Sequence, residues 1–185
     1  FICNTEVKNL KDLIAKNDAV LLADGSTIPR DLPMPGREFK GIHFAMDFLK
    51  QSNKRVSKIK FKDEDILATG KDVIVIGGGD TGSDCVGTSN RQKATSVKQF
   101  ELMPKPPVDR TIAMPWPNYP MILRTSTSQE EGCERFFGVS TKAVLGDKKG
   151  NLRALLVVDV SWEQDALGRP IKFKEVAKQE RELPC

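Results

Sequence analysis

A chain of 185 residues with 39% hydrophobic and 29% charged residues has the make-up of a globular protein long enough to bury a core. Its net charge of +4 is too small to argue for a nucleic-acid or membrane partner, and no apolar run nears the ~20 residues of a membrane-spanning helix. Cys3, Cys85, Cys133 and Cys185 are widely spaced, a pattern that supports neither zinc nor an iron–sulfur cluster and fits scattered reduced thiols in the cytoplasm. Phe1-Ile2-Cys3-Asn4 lacks the features of a signal peptide, and with no initiator Met the chain is expected to be part of something longer. Asn9 to Asn17, with Leu10, Leu13 and Ile14 on one face, predicts a short amphipathic helix. Ala19 to Ala23 predicts a buried strand, ended by the turn Asp24-Gly25-Ser26, whose sheet is missing or supplied later. Pro29, Pro33, Pro35 and Gly36 predict an irregular segment. Gly41 to Leu49 predicts a helix with Phe44, Phe48 and Leu49 inward and His43 as a helix-start residue. Lys50 to Asp65, charged in both signs, predicts a solvated loop.

Val73-Ile74-Val75-Ile76 predicts a short strand buried on both faces. Gly77, Gly79 and Gly82 follow at the spacing G-x-G-x-x-G, with a helix predicted from Thr81 to Gln92. This is the arrangement that holds a dinucleotide. Gly77 permits the turn, Gly79 lets a pyrophosphate approach the backbone, and Gly82 lets the helix pack on the strand. The helix start near Thr81 offers free N–H groups to the phosphates. Ser96 to Leu102 predicts a second strand. Glu101 lies near its end, 19 positions beyond Gly82, where a carboxylate accepts from the adenosine ribose and disfavours a 2′-phosphate. That favours NADH over NADPH, although Lys105 and Arg110 are placed to pair with a phosphate.

Six prolines from Pro104 to Pro120 exclude regular structure, and Trp116 and Tyr119 within them are expected to anchor the loop to its own domain. Ser128 to Phe137 predicts a helix. Thr141 to Leu145, Leu152 to Trp162 and Ile171 to Val176 predict an antiparallel meander, with turns at Asp147 to Asn151 and Asp165 to Arg169. The chain then runs to Cys185 with no closing element expected. The predicted class is α/β: a Rossmann-like dinucleotide-binding domain with a parallel sheet, helices and an antiparallel meander.

Gly77-Gly78-Gly79-Asp80-Thr81-Gly82 through Ser89 closely resembles the NAD(P)H-binding segment of the glutamate synthase small (beta) subunit. So do Pro29 to Arg37, Gly41 to Leu49, and Phe100 to Pro107 with Pro115-Trp116-Pro117. The resemblance implies that electrons pass from NAD(P)H to FAD and through iron–sulfur clusters to the large (alpha) subunit, for glutamate synthesis from 2-oxoglutarate and glutamine. It implies that residues 1–36 end the first half of an FAD-binding domain, 37–70 connect, and 71–185 are the NAD(P)H-binding domain, truncated at its end. FAD and iron–sulfur clusters are then expected only in the full-length protein, and the segment alone is expected to be inactive. No side chain is expected to act as acid or base, because hydride transfer is the cofactor's own chemistry. Asp24-Gly25 corresponds to the turn that lies beside the flavin in that family, where Ala-Thr-Gly is usual in place of Ala23-Asp24-Gly25. The same residues leave two alternatives: the electron-input module of a ferredoxin–NAD(P)H oxidoreductase subunit or a dihydropyrimidine dehydrogenase-like flavoprotein, or a non-catalytic dinucleotide-binding module.

Overall fold

The computed structural model describes residues 2–23 and 28–185, with Lys178 described in its backbone alone. The described chain divides into two units, Phe1–Arg30 and Asp31–Cys185.

In the first unit, α1 is Leu10–Ile14, started by Asn9, whose side chain accepts from the Lys11 amide at 3.0 Å. None of its residues is buried. The predicted strand at Ala19 to Ala23 does not form, and Leu21 is 89% exposed. An apolar run becomes a strand only where a neighbour takes its backbone hydrogen bonds, and no described residue does so here.

In the second unit, α2 is Ala45–Val56, capped by Phe44. His43 therefore lies just outside the helix, and half of the predicted charged loop is helical. Beyond α2 the chain is fastened by Gln51, whose side chain accepts from the Ile66 amide and donates to the Glu64 carbonyl, both at 2.9 Å. Three parallel strands follow: β1 (Asp72–Ile76), β2 (Ser96–Glu101) and β3 (Glu134–Phe137), with β2 in the centre. The helix α3 (Asp80–Arg91) makes the β1–β2 crossover. Among the described residues β1 is an edge strand, so Val73, Ile74 and Val75 are half-buried rather than enclosed on both faces.

The segment predicted as a helix from Ser128 to Phe137 is corrected. Only Thr127–Glu130 is helical (α4), held by a capping box between Ser126 and Gln129. Gly132, at φ 133°, ends it, and Glu134–Phe137 pairs with β2. The helical reading failed because the packing of Phe136 on Phe100 rewards an extended chain there; the rings meet edge to face with centroids 5.2 Å apart.

The antiparallel meander is β4 (Val139–Gly146), β5 (Leu152–Gln164) and β6 (Pro170–Pro184). Its turns lie where the sequence predicts. Asp147 accepts from the Lys149 and Asn151 amides, Asp165 from those of Leu167 and Arg169, and these hydrogen bonds hold both carboxyls below the usual carboxylate range. The polar run after Val176 belongs to β6, which pairs with β5 as far as Ala154↔Pro184. Charges suit such an edge strand, and Arg181 bonds Asp159 at 2.8 Å while Lys142 bonds Glu175 and Glu180.

The two faces of the parallel sheet are covered differently. Phe48 of α2 and Cys85 of α3 pack with Val73 and Val75 on one face. Ile74, Phe100 and Phe136 meet Val139, Val144, Leu155 and Val157 of the meander on the other. Burial, with the charge of Asp84, pushes the Cys85 thiol up to about 11. Its unfolded value is near 9, so its neutral form contributes stability that is fully present below pH 9 and lost as pH rises toward 11. Iodoacetamide at pH 8 is expected to alkylate the exposed Cys3 long before Cys85. Mass mapping of the alkylated peptides checks the order; equal rates in the folded protein would contradict it.

Candidate functional site

The glycine turn lies where β1 ends and α3 begins. Gly77, at φ 119°, leaves the strand in a backbone region that disfavours other residues. Its amide donates to the Phe100 carbonyl at 2.9 Å, and its carbonyl accepts from Gln99 Nε2 at 2.9 Å. A Cβ on Gly82 would overlap the Gly77 carbonyl, so the helix reaches the strand only through glycine. Gly79 is different. It is the N-cap of α3 with φ −76° and ψ −177°, a conformation open to any residue, and a Cβ there meets nothing within 4 Å among the described residues. No side chain caps α3, and Asp80 is the acidic residue of its first turn, with Thr81 next. The first-turn N–H groups have no i−4 carbonyl to bond.

Glu101 ends β2 beside this turn, with its side chain only 15% exposed. It lies directly against Gly78, where a Cβ would overlap its carboxylate. Its Oε1 accepts from Arg135 Nη2 at 2.9 Å. Arg135 Nη1 also donates to the Arg124 carbonyl at 2.8 Å, and its guanidinium carbon lies 5.0 Å from the centroid of the Phe137 ring.

The two cations predicted to compete for a phosphate differ. Arg110 staples its own loop, donating to the carbonyls of Met114 at 2.9 Å and Asn118 at 2.7 Å. Lys105 is exposed. The proline-rich stretch forms no helix or strand, as expected, but Trp116 is 83% exposed and does not anchor it. Tyr119 packs under Arg124, 4.3 Å from ring centroid to guanidinium carbon. Leu123, whose amide bonds the Pro107 carbonyl, ties the loop's two ends. Asp24 and Gly25 lie outside the described residues. Among the described residues no group of three or more His, Cys, Asp or Glu is placed to hold a metal.

Five residues of the candidate site escaped the sequence reading. Gln99 is fully buried, and its side chain bonds the Gly77 carbonyl at one end and Gln129 Nε2, at 2.7 Å, at the other. Gln129 in turn accepts from the Ser126 amide, and Ser126 Oγ meets Ser83 Oγ of α3. This chain of hydrogen bonds ties the glycine turn to α4. No local pattern signalled it, since Gln99 stands among other polar residues of β2, Lys98 and Glu101. Gln99→Leu keeps the volume but strands the Gly77 carbonyl and the Gln129 amide, and is expected to cost about 2–4 kcal/mol. Urea unfolding measures it; a loss below about 1 kcal/mol would show that the network carries little. Arg135, the fifth, was hidden because its segment read as helix.

No protein-family model matches the chain. It is 44% identical over 184 residues to the NADH glutamate synthase of Schizosaccharomyces pombe, covering 96% of this chain and 9% of that protein. It is 49% identical to the NADPH glutamate synthase small chain of Mycobacterium tuberculosis, covering 80% of this chain and 31% of the relative. It is 38% identical to the corresponding small chain of Bacillus subtilis, covering all of this chain and 39% of the relative. The chain thus spans well under half the length of each of these relatives. Among solved structures, Mycobacterium tuberculosis FprA in complex with NADPH aligns with a TM-score of 0.56 at 15% identity, over 95% of this chain and 50% of that one. A second FprA structure, described by a covalent modification of NADP+, aligns with a TM-score of 0.55. By fold, then, this chain is like half of the FprA oxidoreductase, and by sequence it is a homologue of a segment of glutamate synthases.

Proposed function

We propose that this chain is the pyridine-nucleotide-binding part of a glutamate synthase small subunit. The observation that carries the reading is Gly79: among the described residues nothing asks for glycine there, whereas an arriving pyrophosphate does. In this reading the backbone of Gly77, Gly78, Gly79, Asp80, Thr81 and Gly82 holds the pyrophosphate at the start of α3, and Glu101 accepts from the adenosine ribose. The bound nicotinamide supplies a hydride; the protein binds, orients and excludes water. The relatives' names support the enzyme, NADH in one case and NADPH in the others.

Glu101 argues for NADH, since a 2′-phosphate would bring about two negative charges to its carboxylate. Arg110, engaged with two carbonyls of its own loop, is a poor rival; Lys105 is the better one. FAD, the iron–sulfur clusters, the large subunit that receives the electrons and a cytoplasmic setting belong to the whole enzyme in this reading. The related-flavoprotein alternative rests on the fold that the chain shares with FprA. Isothermal titration of NADH and NADPH into the chain tests the reading. Saturable one-to-one binding with NADH the tighter ligand is expected; heat-silent titrations with no competition by ADP-ribose would contradict it.

A further inference from the structure

Arg135 lies beside Glu101, the residue proposed above to meet the ribose, and it is enclosed for a cation. Its side chain is 17% exposed and its Nε is buried with no hydrogen-bond partner among the described residues. Its other two nitrogens are committed, one to Glu101 Oε1 and one to the Arg124 carbonyl. The partner carboxylate lies against Gly78 in the glycine turn, so the ion pair forms the wall beside that turn. Its geometry leaves Glu101 Oε2 without a protein donor among the described hydrogen bonds.

We propose that Arg135 is a selectivity residue that works in two ways, an inference resting on the dinucleotide reading above. Paired with Glu101, it orients the carboxylate over Gly78 and leaves Oε2 to accept from a ribose hydroxyl, which selects NADH. Without the carboxylate's charge, Nη2 of the same guanidinium is released from its ion pair to donate to a phosphate, while Nε stays buried. The cation that would recognise a 2′-phosphate is therefore already present on β3, held in check by Glu101. Lys105 and Arg110 of the proline-rich loop are not needed for it.

The test is a set of titrations of NADH and NADPH, in low salt, into the wild type, Glu101→Gln, Arg135→Gln and the double variant. Circular dichroism melts confirm folding, and Arg135→Lys serves if Arg135→Gln does not fold. Glu101→Gln is expected to weaken NADH by about tenfold and to strengthen NADPH by about tenfold, reversing the preference, with the NADPH gain shrinking as salt is raised. In the double variant, or in Glu101→Gln with Arg135→Lys, the NADPH gain is expected to vanish or fall sharply while NADH stays weak. A purely structural role for Arg135 would weaken both nucleotides alike and leave their ratio unmoved. A NADPH gain that survives in the double variant, or an unchanged ratio in Glu101→Gln, overturns the proposal while leaving the dinucleotide reading intact. Failure of the wild type to bind either nucleotide overturns both.

Discussion

Gly79→Val is expected to weaken NADH binding by at least about 100-fold while leaving the domain folded. Charged hydrogen bonds to a phosphate contribute roughly 1.5–3 kcal/mol each, so losing one or two accounts for that factor. The folding side follows from the structure. At φ −76° and ψ −177° a valine is unstrained, and its Cβ meets no atom of the described residues within 4 Å. As a poorer N-cap than glycine it costs the helix about 1 kcal/mol. Gly82→Val makes the contrast, because its side chain would run into the Gly77 carbonyl and should disrupt the α3–β1 packing. Calorimetric titration with a thermal melt as control separates the two. Wild-type affinity in a folded Gly79→Val protein would place any ligand elsewhere.

Phe100→Ala is expected to be the most destabilising single truncation, at about 3–5 kcal/mol. Phe100 is 2% exposed in the central strand of the parallel sheet. It is the most buried of the residues through which that sheet meets the meander, touching Phe136 edge to face and sharing a core with Val139, Val144, Leu155 and Val157. Domains of this kind have only about 5–15 kcal/mol in total, so the variant should unfold at much lower urea. It also loosens the strand that carries Glu101 and whose Phe100 carbonyl receives the Gly77 amide. Urea titration followed by circular dichroism measures it. A cost under about 1.5 kcal/mol would mean that the two sheets are held together elsewhere.

The parts of the fold legible in the sequence were those with local signatures. The β1–turn–α3–β2 unit is written in four β-branched residues followed by three spaced glycines, and the meander in its Asp- and Gly-containing turns. Parts set by distant contacts were not legible. Phe136 belongs to a strand because Phe100 lies opposite it, 36 positions earlier (136 − 100), and no local period reports that. Ala19 to Ala23 has strand composition but no described neighbour to pair with. The end of β6 is polar and, among the described residues, an edge, which the sequence shows only as a hydrophilic tail. The site divides the same way. Gly77, Gly79, Gly82 and Glu101 stand at recognisable spacings. Arg135, Gln99 and Gln129 matter through side-chain bonds made across three elements, and Gly78 through the Glu101 carboxylate that covers it.

In the proposed reading, the backbone at the start of α3 receives the phosphates of a nicotinamide dinucleotide. Amide chemical shifts of the isotope-labelled chain, followed through a titration with NADH, report on that backbone directly. The amides of Gly79, Asp80, Thr81 and Gly82 are expected to move together and saturate with one dissociation constant, with Glu101 and Arg135 moving alongside, and Gly79→Val is expected to abolish the response. Saturable shifts confined to other parts of the chain, or amides at the start of α3 that stay still while NADH binds, would contradict the reading.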